Sequence, residues 1–271
     1  MSRTATAAIV LAGGRSTRMG RPKALLDWHG STLVRRAVGL VGRVVDGPVV
    51  VVRAAGQALP ALPPGIELAD DERAARGPLQ AIASGLHALG DRAAVVFVTG
   101  VDAPLLHPAL VAHVIASLGP DDDVALPQAH CFAHPLSAAY RSATVAPLVD
   151  ELLAEDSLGT RPLMRRCRVR RLDEAALLAA PAVAALDPQL LSLENLNKPA
   201  EYAAAHARPE PLVTVDGCGT VRAATLARTG LGGVPALVND RAVTDPQEPL
   251  VAGDVVRIAP AVHADGRVPS R

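Results

Sequence analysis

The chain has 271 residues, 49% of them apolar but only 2% aromatic, and its 27 basic residues balance 27 acidic ones. That length suits one large domain, or a large one with a small companion, whose core Ala, Val and Leu must fill. Zero net charge argues against a general nucleic-acid or membrane-surface binder, while leaving room for a local basic patch. The first residues run straight into a strand, Ala7–Leu11, with no charged-then-apolar leader. Next comes Leu11-Ala-Gly-Gly-Arg-Ser-Thr-Arg-Met-Gly-Arg-Pro-Lys23. Its glycines let the backbone approach a ligand closely, and Arg15, Arg18 and Lys23 put three cations in one loop. Backbone N–H donors plus cations after a strand are what a triphosphate needs. The loop is not a Walker A motif, because Arg21 and Pro22 follow Gly20, and it lacks the G-x-G-x-x-G of dinucleotide binders.

Further along, apolar spacing predicts a helix over Leu33–Val44, and β-branched runs predict strands at Pro48–Arg53 and Ile66–Asp70. Gly77-Pro78 opens a helix through Leu79–Leu89, since proline is tolerated in a first turn. A strand at Val95–Thr99 leads to Asp102-Ala-Pro104, and Pro108–Leu118 reads as another helix. This alternation predicts an α/β fold with a mostly parallel sheet covered on both faces. Ligands of such sheets lie beyond the carboxyl ends of the strands, where the Gly/Arg loop, Asp70 and Asp102 fall. Asp102, facing a triphosphate loop, suits Mg²⁺, which takes one or two carboxylates plus substrate phosphates. A helix N-cap is the plainer role for an Asp before Pro. Asp70 and Asp71 both end a strand, and either can face a nucleotide.

His130-Cys131-Phe-Ala-His134 gathers metal-binding residue types, but no second pair lies near, so His134-Pro135 reads better as a pocket wall. His29, His87 and His107 read as surface or packed residues, and no G-x-S-x-G elbow suggests a hydrolase. Cys131, Cys167 and Cys218 are odd in number and far apart, which supports neither a disulfide framework nor a zinc ribbon. No apolar run approaches the roughly 20 residues that span a bilayer, so a soluble, cytoplasmic protein is expected.

After Ala207 the texture changes. Residues 208–211, Arg-Pro-Glu-Pro, read as a stiff linker. Beyond it the pattern predicts a strand at Leu212–Val215, a helical stretch at Thr220–Thr229 and a strand at Ala236–Val238. A turn at Asn239-Asp240 and a strand at Val255–Ala259 follow. The expected organisation is a nucleotide-binding domain over 1–207, a linker over 208–211 and a small domain over 212–271, with Gly266–Arg271 disordered.

Taken together, several segments resemble those of one family. Leu11-Ala-Gly-Gly-x-x-x-Arg-Met-Gly-x-x-Lys23 is similar to the signature of nucleotidyltransferases that build activated sugars and cofactors. Gly77-Pro-Leu-Gln-Ala-Ile-Ala-Ser-Gly-Leu86, Asp102-Ala-Pro104, His134-Pro-Leu-Ser-Ala-Ala-Tyr-Arg141 and Asn195-Leu-Asn-Lys-Pro-Ala-Glu201 follow in the order seen in molybdenum-cofactor guanylyltransferases. The resemblance, over about residues 5–207, implies a Rossmann-like glycosyltransferase-A-type fold. It also implies joining of GMP from GTP to molybdopterin with release of pyrophosphate. By that likeness Leu11, Ala12, Gly13 and Gly14 meet the nucleotide, and Lys23, with Arg15 and Arg18, holds phosphate. Asp70 would meet the nucleoside end, Asp102 the Mg²⁺, and His134, Asn195 and Asn197 the acceptor side. Sister cytidylyltransferases typically carry Ala at the position of Gly13, so Gly13-Gly14 favours guanine, whereas Pro22 is more usual in those cytidylyl relatives. Gly100-Val101 replaces the family's frequent Cys before the metal Asp, and Arg53 stands where Asn is common. The alternatives are a cytidylyl or sugar-phosphate nucleotidyltransferase on the same fold, or a non-catalytic carrier of molybdopterin.

The tail resembles the β-grasp sulfur carriers, which include the small subunit of molybdopterin synthase. Val238-Asn-Asp-Arg-Ala-Val243 and Leu250-Val-Ala-Gly-Asp-Val-Val-Arg-Ile-Ala-Pro260 carry that likeness. Those carriers end in Gly-Gly, whereas this chain reads Ala264-Asp-Gly266 and continues for five residues. Docking to other molybdenum-cofactor proteins is therefore expected of the tail in preference to sulfur carriage.

Overall fold

A β-branched and alanine-rich run, Thr6–Leu11, forms strand β1 at the centre of the main sheet, with Ala7 to Val10 fully buried. A strand covered on both faces reads as a continuous apolar run, and this one does. The computed structural model describes residues 5–14, 20–71, 73, 77–231 and 233–259. Arg15, Arg18 and the tail Gly266–Arg271 lie outside the described residues. The described residues form two compact units, one within 5–28 and 32–206, the other within 29–31 and 207–259.

After β1 come β2 (Asp27–Trp28), β3 (Ser31–Thr32) and α1 (Leu33–Gly42). The hydroxyl of Thr32 caps α1 by accepting the Arg35 N–H. Then come β4 (Val49–Ala54), β5 (Ile66–Asp71), α2 (Pro78–Leu89), β6 (Val95–Gly100) and α3 (Pro108–Ala116). After these run β7 (Val124–Ala129), β8 (Phe132–Ala133), β9 (Ser137–Arg141), α4 (Ser142–Ala154), α5 (Thr160–Arg166) and β10 (Val169–Leu172). Three short helices, α6 (Glu174–Leu178), α7 (Pro181–Leu186) and α8 (Pro199–His206), close the unit.

The sheet order is β10-β7-β9-β6-β1-β4-β5. Strands β6, β1, β4 and β5 are parallel, as are β10 and β7, but β9 runs antiparallel to both its neighbours. The sheet is therefore mixed where the sequence pattern predicted it mostly parallel. The cause is local: His130 and Cys131 both take positive φ, which suits a tight hairpin into β8, and the chain returns beside β6. Side chains alternate across a strand. Ala7, Ile9 and Leu11 accordingly pack with α2 and α4 on one face, while α1 and α3 contact each other and the sheet. Gly85 lets α2 lie against β1, since a Cβ there would press within 2.7 Å of the Ile9 side chain.

In the second unit β11 (Leu212–Val215), β12 (Gly219–Arg222), β13 (Ala236–Val238), β14 (Arg241–Val243) and β15 (Val255–Ile258) form a sheet of order β12-β11-β15-β13-β14. Only the β11–β15 pair is parallel. The predicted helix at Thr220–Thr229 is corrected: its first part is β12, and only Leu226–Thr229 coils, as a 3₁₀ turn. Gly217 and Gly219, both at positive φ, reverse the chain so that Thr220 and Val221 pair with β11. Asn239 and Asp240 take positive φ in the tight turn between β13 and β14. Asn239 also donates to Asp254 Oδ1 at 2.7 Å, so the two polar residues of the tail motifs brace each other. Residues 208–211 are tied into this unit: Glu210 accepts the Ala224 N–H and the Arg228 guanidinium. No helix among the described residues is long and apolar enough to cross a membrane.

Candidate active site

The carboxyl ends of β1, β5 and β6 open onto a cavity of about 470 Å³. Leu11, Gly13 and Gly14 line it from the first loop, Asp71 from the end of β5, Gly77, Pro78 and Ala81 from the start of α2, and Gly100, Val101 and Asp102 from the end of β6. Lys23, Val52 and Leu136 complete the wall. Another cavity, of about 480 Å³, lies beside the β7–β8 hairpin, but it takes in none of the residues that the sequence pattern assigned to chemistry.

Two glycines in the first loop have distinct reasons. A Cβ on Gly13 would sit 3.1 Å from the Ala54 nitrogen, so the loop lies close on the end of β4. Gly14 has φ +115°, which side chains rarely adopt. The loop backbone is already bonded within the protein. Ala12 and Gly13 N–H groups both donate to the Val52 carbonyl, and the Leu11 carbonyl accepts the Val101 N–H. Gln57 completes this brace, donating to the Ala12 carbonyl and accepting the Ala54 N–H, each at 3.0 Å. Nothing in the sequence singled out Gln57, because its role rests on a loop packed beside it from 45 residues away.

Lys23 begins a single 3₁₀ turn, Lys23–Leu25, directly after Pro22. Its Nζ lies 3.3 Å from Asp102 Oδ2 and 2.9 Å from Asn197 Oδ1. Three residues far apart in the chain thus meet at one ammonium, and the Lys23 and Asp102 side chains are only 17% and 25% exposed. Gly100 makes the Asp102 rotamer possible, since any Cβ there would collide with Oδ1. The Asp102 carbonyl accepts the Leu196 N–H at 2.8 Å, which docks the 195–198 segment on the same loop. Asn195 is exposed.

Two residues lie elsewhere than the sequence pattern placed them. Asp70 does not line the cavity; it pairs with Arg53 at 2.7 Å, its register partner on β4. Strand alternation puts Asp71 on the other face, toward the cavity, where it is 6% exposed. Burial pushes the Asp71 carboxyl pKa up, opposed by the Arg73 N–H it accepts. His134 is not part of the wall either. Its ring is buried and faces the Ala129 carbonyl at 3.1 Å within the hairpin, and burial lowers its pKa. Leu136, two residues on, takes the wall position.

The residues fit a divalent cation of the Mg²⁺ type. Among the described residues no group of three or more His, Cys, Asp or Glu side chains could hold a metal alone. Asp102, with Asp71 as the other carboxylate on the cavity wall, matches a site completed by substrate oxygens.

Residues 8–174 match the model of the MobA-like NTP transferase domain. The chain belongs to this family. It is a nucleotidyltransferase, with the α/β fold and mixed sheet of its relatives. It is 38% identical over 170 residues to a probable molybdenum cofactor guanylyltransferase of Mycobacterium ulcerans, covering 61% of this chain and 82% of that one. The corresponding protein of Mycobacterium tuberculosis H37Rv is 40% identical over 151 residues, covering 54% and 73%. Among solved structures, molybdopterin-guanine dinucleotide biosynthesis protein A of Archaeoglobus fulgidus aligns with a TM-score of 0.56 at 18% identity, over 74% of this chain and 96% of that one. This likeness concerns the fold.

Proposed function

We propose that the chain transfers the guanylyl group of GTP to the terminal phosphate of molybdopterin. The new bond joins a phosphate oxygen of the acceptor to the α-phosphorus of GTP, and the bond to the departing pyrophosphate breaks. The meeting of Lys23 and Asp102 on the cavity wall carries this reading, because it pairs a cation suited to phosphate with a carboxylate suited to a metal, the two groups that transfer from a nucleoside triphosphate needs. The attacking phosphate is already anionic, so the protein has mainly to align the reactants and neutralise charge. Lys23 would meet the β- and γ-phosphates, while Asp102, with Asp71 also on the cavity wall, would hold Mg²⁺, which when bound neutralises charge on phosphate oxygens. Arg15 and Arg18 are assigned to the pyrophosphate from the sequence. Asn195, exposed at the start of the docked segment, is left to the acceptor.

Gly13 supports guanine. An alanine there, as in the cytidylyl relatives, would bring its Cβ within 3.1 Å of the Ala54 nitrogen, so the end of β4 would have to give by a few tenths of an ångström. Pyrophosphate release should be measured with molybdopterin and each of GTP, CTP, ATP and UTP. GTP should be preferred over CTP by roughly tenfold or more in kcat/KM, about 1.4 kcal/mol. Equal or greater turnover with CTP would replace the guanylyl assignment by a cytidylyl one.

For the tail we propose a β-grasp domain. The order β12-β11-β15-β13-β14 with a parallel central pair supports it, and the crossover is reduced to a 3₁₀ turn. Its role would be docking to proteins that supply or receive the cofactor. A chain ending at Ala207 should then stay folded and keep its turnover with free molybdopterin. An insoluble or inactive truncation would sink the division into 1–207 and 212–271.

A further inference from the structure

We infer that Asn197 is a positioning residue for Lys23, acting on the nucleotide's phosphates and not on the acceptor. The inference rests on the guanylyl-transfer reading only in taking Lys23 as the phosphate cation. Lys23 stands on a flexible four-carbon stem and a single 3₁₀ turn, so its own element does little to aim it. The aim comes from a segment 174 residues away in the chain, where Asn197 Oδ1 accepts from Nζ at 2.9 Å. A neutral amide oxygen suits this role, because it orients an ammonium without adding a charge that would repel phosphate. Asp102 also holds the ammonium, at 3.3 Å, but the same carboxylate is assigned to the cation. When Asp102 engages the cation, Asn197 keeps the stem in place while the ammonium, with three donors, turns one to a phosphate oxygen.

Asn197 can serve as a fixed point because its segment is anchored on both sides. Upstream, buried Asp187 accepts the Leu191 and Ser192 N–H groups, and the Ser192 hydroxyl accepts the His107 N–H at 2.9 Å. Immediately before it, Leu196 donates to the Asp102 carbonyl. Downstream, Glu201 Oε2 accepts the Asn197 and Lys198 N–H groups at 2.8 and 3.0 Å and starts α8. Along α8, Tyr202 and His206 pack edge-on against Trp28, with ring centroids 6.2 and 5.6 Å away. A strap from 187 to 206 thus grips the backbone of Asp102 and the side chain of Lys23 together. Acceptor-side and phosphate-side groups are joined in one piece of structure.

The test is a binding cycle on the full chain, without acceptor, at fixed Mg²⁺. GTP and GMP dissociation constants are measured for wild type, Lys23→Ala, Asn197→Ala and the double variant, with a melting temperature for each. Asn197→Ala should weaken GTP about tenfold and Lys23→Ala about a hundredfold, as for loss of charge-assisted hydrogen bonds to phosphate. The double variant should bind GTP no worse than Lys23→Ala, because groups acting through one another are non-additive. GMP lacks the β- and γ-phosphates, so its affinity should stay within about twofold in Asn197→Ala; a merely structural defect would weaken both nucleotides. Losses that multiply in the double variant would overturn the inference. So would unchanged GTP binding alongside a raised KM for molybdopterin. If the chain prefers CTP, the same cycle with CTP and CMP should show the same coupling, so a wrong base leaves the Asn197 role separately testable.

Discussion

Asp102→Asn should lower kcat by about a hundredfold or more, roughly 3 kcal/mol at 1.4 per decade. The amide keeps the size of the side chain, so it fits the space that Gly100 leaves beside Oδ1. The backbone carbonyl still accepts the Leu196 N–H, and the docked segment keeps its place. What is removed is the negative charge opposite the cation and opposite Lys23. The melting temperature should change little while turnover collapses, measured as pyrophosphate release at saturating GTP and Mg²⁺. Near-normal turnover would mean that another carboxylate carries the cation. Asp71 is the one other carboxylate among the described residues of the cavity wall, and Asp71→Asn would be the next variant.

Lys23→Ala should cost a comparable factor, about a hundredfold in kcat/KM for GTP, because a cation close to the triphosphate is lost from a partly dry site. Lys23→Arg should be impaired less severely. It keeps the charge, but a planar fork cannot reproduce a compact ammonium held between Asp102 and Asn197. In Lys23→Ala the unpaired Asp102 remains partly solvated, so a modest stability change is expected. Intact kcat/KM in Lys23→Ala would show that the phosphates are bound elsewhere, Arg15 and Arg18 being the remaining cations of the loop.

Much of the first unit was legible because its signals are local. Thr6–Leu11 and Val95–Gly100 are apolar runs with no alternative to a buried strand. Gly77 is forced by its own backbone, at φ +87° and pressed on the Leu158 carbonyl. The tail was less legible. Thr220–Thr229 held apolar residues at a spacing compatible with a helix, and the glycines at 217 and 219 settled it as a hairpin instead.

Asn197 was offered by family resemblance; the sequence alone determined the loop glycines, the order of the longer strands and helices through Leu118, and the candidate residue types Lys23 and Asp102. Those follow from backbone preference and side-chain chemistry, which each residue carries wherever it sits. Tertiary structure decided the rest. The reversal of β9, the choice of Asp71 over Asp70, the inward turn of His134 and the bracing by Gln57 each depend on which neighbour arrives from far along the chain. An adjacent pair of aspartates is chemically equivalent until a strand with alternating faces is placed beside a cavity, and that placement is a property of the packed sheet. The meeting of Lys23 and Asn197, 174 residues apart, is of the same kind: each is a common polar residue by itself, and only the docking of the 187–206 strap makes them one device.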